Sequence, residues 1–239
     1  MKFTNKLASK NILIIGGTSG IGFAVAEASL EQDANVTIAS SSPSKLQSAI
    51  SRLQSAYPES SNKIKGTTLN LSSEDVEDQI IAAYEFATEN GQNKLDHVVN
   101  TAVRYVGNLL LAKHVTKYIN ISPESSFTTT SGANAAKPGD GWSSIIGVAT
   151  AVEGLTRALA KDLKPVRANC VSPGAIKTEL FDRFGDEATV QKMVEAYAEK
   201  TLTGRIGTPE DVAESYLYVM RSAFVTGTTL QIDGGYVLV

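Results

Sequence analysis

Cysteine, histidine and long apolar runs are scarce in this chain of 239 residues. Cys170 is its one cysteine, so no disulfide can form within the chain, and such usage favours a reducing compartment such as the cytoplasm. We expect this thiol to be a small buried core residue. With only His97 and His114 beside it, the sequence predicts no His/Cys metal site. No apolar run approaches the ~20 residues that a membrane-spanning helix needs.

Strong charge of either sign is missing as well. The formal net charge of −3 and the pI near 5.5 give no electrostatic basis for binding nucleic acid or an anionic membrane. We therefore expect neither as a partner. The opening MKFTNKLASKN is polar and has no apolar signal core, so we expect a short tail before the first strand.

Short apolar runs alternate with helical patterns along the whole chain, of which 42% is hydrophobic. This alternation predicts one α/β domain over residues 1–239, a doubly wound parallel sheet with helices on both faces. The predicted strands are 11–17, 35–40, 65–71, 95–102, 125–131, 166–174 and 228–235, and the predicted helices are 20–32, 42–57, 72–91, 109–119, 151–163, 179–200 and 209–221.

The predicted connection between the fourth strand and the next helix is too short. The fourth strand ends near Ala102, yet the next helical pattern begins at Val103, whereas strand-to-helix loops usually take ~2–6 residues. Either the loop is deleted in this chain, or a disordered segment is missing between the two residues and the numbering closes over it. We favour the second alternative.

The first strand runs directly into the glycine cluster IGGTSGIG at 15–22. Gly16 permits a tight turn, Gly20 lets backbone approach a phosphate, and Gly22 lets the helix pack close to the strand. The following helix N-terminus presents unpaired N–H groups to a pyrophosphate. Such a cluster can also be a plain tight turn, but its position at the first strand-to-helix joint favours a Rossmann-like dinucleotide site.

Several spaced motifs in this chain resemble those of the short-chain dehydrogenase/reductase family. They are the glycine cluster, the strand end Asn100-Thr101-Ala102, the segment PGAIKT at 173–178, GRIGTPEDVA at 204–213 and TGTTLQIDGG at 226–235. The resemblance covers nearly the whole chain and implies a nicotinamide dinucleotide as cofactor. The cofactor-binding residues that it implies are Gly16, Thr18, Ser19, Gly20, Ile21, Asn70, Leu71, Thr101, Ala102, Pro173, Gly174, Ile176 and Thr178.

The end of the second strand favours NADPH/NADP+ over the unphosphorylated cofactor. An acidic residue there would bind the ribose 2′-hydroxyl and repel a 2′-phosphate, but ASSSPSK at 39–45 has none. Ser40, Ser41 and Ser42 offer hydroxyl and N–H donors, and Lys45 adds a positive charge. The serines can equally cap the next helix, and both roles are compatible.

The residues that usually perform the family's chemistry are absent. The segment AVEGLTRALA at 151–160 resembles the helix that follows the family's YxxxK motif. Counting back from it puts Ile145 at the tyrosine position and Ala149 at the lysine position. Neither can donate a proton. Ser131 matches the family's serine, and Arg104 stands where its helix asparagine is expected.

The loop KPGDGW at 137–142 offers a different chemistry. Reduction of a ketone needs a proton donor, whereas reduction of an iminium ion neutralises an existing charge and needs none. A carboxylate and an aromatic face suit such a cation. We therefore predict catalytic roles for Asp140, Trp142, Arg104 and Ser131, with Arg104 positioning Asp140; a turn residue and a surface charge are the plainer interpretations of Asp140 and Arg104.

The same departure resembles fungal family members with a PGW-type loop in place of YxxxK. Among them are reductases of prenylated indole alkaloid pathways that reduce a cyclic iminium with NADPH and direct an intramolecular Diels–Alder cycloaddition. An NADPH-dependent iminium reductase is thus our first hypothesis. A carbonyl reductase using Ser131 with water or Asp140 as proton source and a dinucleotide-binding pseudoenzyme are the alternatives.

Two further expectations come from the family. Residues 179–203 are expected to form a lid over a bulky, apolar small-molecule substrate, with Phe181, Phe184, Met193 and Tyr197 as its wall. Packing of the lid onto the domain is the plainer role for Met193. Helices near 103–119 and 144–163 often join family members into dimers or tetramers, so a homo-oligomer is expected.

Overall fold

A sheet of seven parallel strands forms the centre of the computed structural model, which describes residues 4–239 except for the side chain of Ser144. The first three residues of the predicted tail lie outside this range. The sheet order is β3-β2-β1-β4-β5-β6-β7, so the order in which strands are added switches sides between β1 and β4, the position at which sheets of this kind bind ligands. The strands are β1 (Asn11–Ile15), β2 (Asn35–Ser40), β3 (Ile64–Thr68), β4 (His97–Asn100), β5 (Ser126–Thr130), β6 (Arg167–Pro173) and β7 (Thr229–Ile232).

Helices cover both faces of this sheet. Alternate residues of β1 point to opposite faces, so Ile12 and Ile14 join the core under α1, α2 and α7, while Leu13 and Ile15 join the core under α3, α4 and α5. No helix in the described range is long and apolar enough to cross a membrane. The helices are α1 (Gly20–Glu31), α2 (Pro43–Ala56), α3 (Val76–Ala87), α4 (Tyr105–Tyr118), α5 (Ser143–Asp162), α6 (Glu187–Ala198) and α7 (Pro209–Arg221).

The predicted doubly wound α/β fold is confirmed, and the predicted bounds of β2 and α7 are those of the structure. Helix α5 is longer than predicted, because its first two turns carry Ile145 and Val148 as exposed side chains and so lack a buried stripe. The predicted helical region 179–200 is a short helical turn at Phe181–Arg183 followed by α6. Cys170 is buried as expected.

The expectation that a segment is missing after Ala102 is wrong. The structure joins β4 to α4 through four residues, Thr101–Arg104, and the helix begins at Tyr105 rather than at Val103. A loop of four residues lies within the usual range. The Ala102 N–H donates to Asn100 Oδ1 at 3.1 Å, which holds the chain as it leaves the strand. The structure therefore has the other alternative, a short loop with no missing segment.

Candidate cofactor and substrate site

The glycine turn after β1 requires its glycines. Gly16 has φ of +85° and Gly20 has φ of +51°, both in the left-handed region that favours glycine. A Cβ on Gly22 would lie 2.3 Å from the carbonyl oxygen of Gly16 and 2.9 Å from Thr101 Oγ1. That hydroxyl donates to the Ile15 carbonyl at 2.9 Å and ties β4 to the turn. Helix α1 thus begins in close contact with the ends of two strands.

A cavity of about 480 Å³ opens at the N-terminus of α1. Two cationic side chains, Lys45 and Arg183, stand on its wall beside the first residues of the helix. A pyrophosphate fits this setting, because backbone N–H groups, the helix dipole and nearby cations all favour an anion. The predicted cofactor residues that line the cavity are Gly16, Ser19, Gly20, Ile21, Lys45, Thr101, Ala102 and Thr178.

A carboxylate lies where that pyrophosphate would be held. The Gly20 N–H donates to Glu179 Oε2 at 2.9 Å, so Glu179 satisfies one of the unpaired donors of α1. Both Glu179 and Arg183 were missed by sequence reasoning, which treated the segment only as part of a lid. The signal for Glu179 was its position directly after the PGAIKT segment.

Replacing Glu179 by glutamine is expected to tighten dinucleotide binding about two- to fivefold. The reason is that a charge at an exposed helix N-terminus is worth ~0.3–1 kcal/mol, and the neutral amide is displaced more easily by phosphate. Isothermal titration with NADPH measures the dissociation constant. Glu187→Gln, an exposed neighbour at the start of α6, is the matched control and should leave it unchanged. Equal or weaker binding by Glu179→Gln would contradict this role.

The end of β2 combines helix capping with an exposed cation, Lys45. Ser42 Oγ accepts from the Lys45 N–H at 3.4 Å, which is an N-cap interaction, and Pro43 occupies the first turn of α2. Thr18 Oγ1 donates to Ser40 Oγ at 3.3 Å, so the glycine turn and the serine stretch are in contact. Ser41 and the Lys45 side chain are exposed. The capping interpretation is confirmed, and Lys45 is the residue of this stretch that lines the cavity.

Asn70 and Leu71 are among the predicted cofactor residues that do not line this cavity, as are Thr18, Ser40, Ser41 and Ser42. Asn70 is exposed, and its side-chain oxygen accepts from the Ser72 N–H at 3.0 Å. Leu71 packs toward Gly107 in the first turn of α4, where a Cβ would lie 3.2 Å from Leu71 Cδ1. Neither residue lines the 480 Å³ cavity. Their predicted roles remain predictions.

A second cavity of about 330 Å³ is lined mainly by apolar side chains. Trp142 forms part of its wall, together with Asn134 and Tyr236, and the PGAIKT segment forms its floor through Pro173, Gly174 and Ile176. The predicted substrate wall is brought together there: the side chains are Phe181, Phe184, Met193 and Tyr197. Met193 also packs against the small core of Phe181, Val190 and Ile206, as its plainer interpretation expected.

The two cavities share a wall. Ile21, Thr178 and Leu180 line both of them. A dinucleotide in the first cavity and an apolar molecule in the second would therefore both contact these three residues.

Ser131 lies buried at the carboxyl end of β5, as its register predicted. Its hydroxyl lies 3.1 Å from the carbonyl oxygen of Ala149 and 3.0 Å from Glu153 Oε1. Glu153 was missed, although it follows Ala149 by four residues and so lies on the same face of α5. Ile145, at the family's tyrosine position, is 58% exposed.

The structure does not bring Arg104 and Asp140 together. Both side chains are exposed, and Arg104 Nη1 donates to the neighbouring Val103 carbonyl at 3.2 Å. Among the described residues, neither takes part in a salt bridge. Arg104 lies at the N-cap of α4, and Asp140 lies in the loop that carries Trp142.

Comparison with known proteins decides the family. A family model described as an SDR-like Rossmann domain matches residues 3–103 and 100–239. The chain belongs to the short-chain dehydrogenase/reductase family. Its relatives carry dehydrogenase/reductase names, and it is an oxidoreductase of this family, whose Rossmann fold binds a dinucleotide.

Two fungal relatives within the short-chain dehydrogenase/reductase family align over nearly their whole length. The short-chain dehydrogenase/reductase ucsE of an Acremonium species is 41% identical, with 97% of this chain and 96% of the relative covered. The solved MalC reductase/Diels-Alderase of Malbranchea aurantiaca is 38% identical and superposes with a TM-score of 0.91, covering 98% of this chain and 99% of that one. A Pseudomonas aeruginosa short-chain oxidoreductase with an atypical catalytic centre, solved with NADPH, shares the fold at a TM-score of 0.80, 20% identity and 97% coverage of both chains.

The family model matches the chain in two stretches, which meet at residues 100–103, in the connection between β4 and α4.

Proposed function

We propose that this protein is an NADPH-dependent reductase of a cyclic iminium substrate in secondary metabolism. The observation that carries the proposal is the apolar cavity beside the glycine-turn cavity, on a family scaffold whose tyrosine and lysine positions hold Ile145 and Ala149. A site without that proton donor suits an acceptor that becomes neutral when it receives a hydride.

The cofactor end supports NADPH. When bound, NADPH supplies the hydride. The chain offers the N-terminus of α1 with Lys45 and Arg183 for phosphate groups, and the end of β2 has no carboxylate to repel a 2′-phosphate.

The substrate end supports a bulky cation. Trp142 offers an aromatic face in the apolar cavity, which can hold a positive charge. Asp140 lies two residues before Trp142, and we propose that with substrate present it faces the cation, with Arg104 beside it. Residues 179–203, which carry Phe181 and Phe184, are proposed to close over the substrate as a lid.

We extend the proposal to cycloaddition because MalC, 38% identical over nearly all of both chains, bears the name reductase/Diels-Alderase. A cavity of about 330 Å³ lined mainly by apolar side chains can hold the two reacting ends of one molecule near each other. Chiral analysis of the cyclised product, with and without protein, tests this step. A racemic product in both reactions would count against it.

The reductase is tested by NADPH consumption against two matched substrates of one bicyclic skeleton. We expect 3,4-dihydroisoquinolinium to be reduced at least ~tenfold more efficiently than 1-tetralone, since only the ketone needs the missing acid, whose contribution is ~10²–10⁴-fold. NADH in place of NADPH should lower kcat/KM. Faster reduction of the ketone would favour a carbonyl reductase, and NADPH binding without turnover of either would favour a pseudoenzyme. Unchanged turnover by Asp140→Ala would exclude the role of that carboxylate.

We also propose that the protein is a homo-oligomer. Helices α4 and α5 pack against each other and expose apolar side chains in their N-terminal halves, at Val106, Leu109, Ile145 and Val148. A face of this kind is typical of a contact between subunits. Light scattering after gel filtration should give a dimer or tetramer for the wild type and a monomer for Val106→Asp. A monomeric wild type would overturn the proposal.

A further inference from the structure

The chain continues from β7 into a short helical turn at Tyr236–Leu238. Gly235, just before it, has φ of +82°, in the left-handed region that favours glycine. The Asp233 carboxylate accepts from the Gly235 N–H at 2.9 Å, which holds the start of the turn at the end of β7. In this arrangement Tyr236 lies in the wall of the apolar cavity. We refer to residues 236–239 as the Tyr236 turn.

The ammonium group of Lys137 makes three contacts with the Tyr236 turn. It donates to the Tyr236 carbonyl at 3.2 Å and to the Val239 carbonyl, and its nitrogen lies 4.9 Å from the centre of the Tyr236 ring. An ammonium group has three hydrogens to donate, and the face of an aromatic ring attracts its charge. One side chain therefore fastens the Tyr236 turn to a segment that lies 99 and 102 positions earlier than the two carbonyl groups.

Lys137 begins the loop that carries Trp142. Its N–H donates to the Ala133 carbonyl at 3.0 Å, in the short helical turn that precedes the loop. The Trp142 N–H donates to the Gly139 carbonyl at 3.3 Å, and a Cβ on Gly139 would lie 3.6 Å from the indole. The loop is thus folded on itself between Lys137 and Trp142. A contact that fixes Lys137 therefore also limits where the indole can lie.

Trp142 and Tyr236 belong to the two segments that Lys137 joins. Both rings line the apolar cavity, whereas Lys137 does not. The ammonium group is directed at the Tyr236 turn, so its influence on a molecule in the cavity acts through the positions of the two rings.

We propose that Lys137 is a positioning residue that fixes the Trp142 loop against the Tyr236 turn and so sets how far apart these two rings stand in the apolar cavity. The inference rests on the proposed function only in taking this cavity as the place of the substrate. It gives a role to residues 236–239, which follow the last motif that the chain shares with its family, TGTTLQIDGG at 226–235.

Fluorescence tests the position of the loop without any substrate, because Trp142 is the one tryptophan of the chain. Lys137→Met keeps the stem of the side chain and removes its charge. We expect the acrylamide quenching constant of the indole to rise about 1.5- to threefold, because a segment held by fewer contacts opens more often. Lys137→Arg should restore most of the wild-type value, because a guanidinium group also donates and stacks on an aromatic ring. Lys161→Met, which removes an exposed charge from the last turn of α5, is the control and should leave the constant unchanged.

Steady-state kinetics test the effect on the substrate. We expect Lys137→Met to raise KM for 3,4-dihydroisoquinolinium about three- to tenfold and to change kcat less than ~twofold, because the two rings hold the substrate and take no part in hydride transfer. Tyr236→Leu should raise KM as well. The two substitutions together should have less effect than the product of their separate effects, because they remove one shared contact. Thermal melting and the NADPH dissociation constant of each variant identify any general loss of folding.

An unchanged quenching constant in Lys137→Met, an equal rise in Lys161→Met, or a raised quenching constant with an unchanged KM would overturn the inference. These outcomes are distinct from failure of the proposed function. If the protein reduces 1-tetralone and not the iminium, the same rise in KM is expected for the ketone, and the inference holds while the proposed function fails. If neither compound is reduced, the quenching constants alone decide the inference.

Discussion

Alanine in place of Gly22 is expected to weaken NADPH binding at least ~tenfold and to lower the unfolding free energy by ~1–3 kcal/mol. Its Cβ would lie 2.3 Å from the Gly16 carbonyl oxygen, which is backbone and cannot rotate away. Relief requires movement of the turn that holds Gly16 and Gly20 in their left-handed conformations. The same turn aims the N–H groups of α1, so stability and cofactor affinity fall together.

Calorimetric titration and thermal melting measure both effects. Gly147→Ala in α5 is the control, because a Cβ there meets nothing within 4 Å. Alanine at such a helical position should stabilise the protein by ~0.5–1 kcal/mol and leave NADPH affinity unchanged. A Gly22→Ala protein with wild-type affinity would mean that the cofactor does not use this turn.

Replacing Trp142 by alanine is expected to lower kcat/KM for the iminium substrate ~10- to 30-fold, chiefly through KM. The indole lines the apolar cavity, and a cation on a desolvated aromatic face gains up to ~2 kcal/mol. Trp142→Phe should retain most of the activity, because a ring face remains. The fall in kcat/KM should be smaller for the neutral ketone than for the cation, because the ketone loses only apolar contact with the indole.

Steady-state kinetics on both substrates separate these contributions. Tyr218→Ala removes an exposed aromatic ring from α7, far in sequence from the loop, and should behave as the wild type. Equal losses for the cation and the ketone in Trp142→Ala would indicate that the indole provides shape and not charge recognition.

The alternation of apolar runs and helical patterns was sufficient to predict the sheet and its helices. This pattern did not predict the first two turns of α5, because they expose Ile145 and Val148 to solvent and have no buried periodicity. Bounds were accurate where sequence signals were strong, as at α7, whose N-cap Thr208 and first-turn Pro209 both mark a helix start.

The site was predictable only where it is local in sequence. The glycine turn and PGAIKT each form a continuous segment, and their residues line the cavities. The contact between Gly20 and Glu179 joins residues 159 positions apart, and no local pattern encodes it. The pairing of Arg104 with Asp140 depends on how two loops are arranged, and the structure leaves them apart.

The common wall of Ile21, Thr178 and Leu180 has a thermodynamic consequence. A molecule that binds in one cavity can order these side chains. A molecule that then binds in the other cavity loses less conformational entropy, so its binding free energy changes. By linkage, dinucleotide and substrate alter each other's affinity by the same factor. Binding order, product inhibition and the choice between oxidised and reduced dinucleotide would thereby depend on these three side chains, whose substitution should change the coupling between the two ligands.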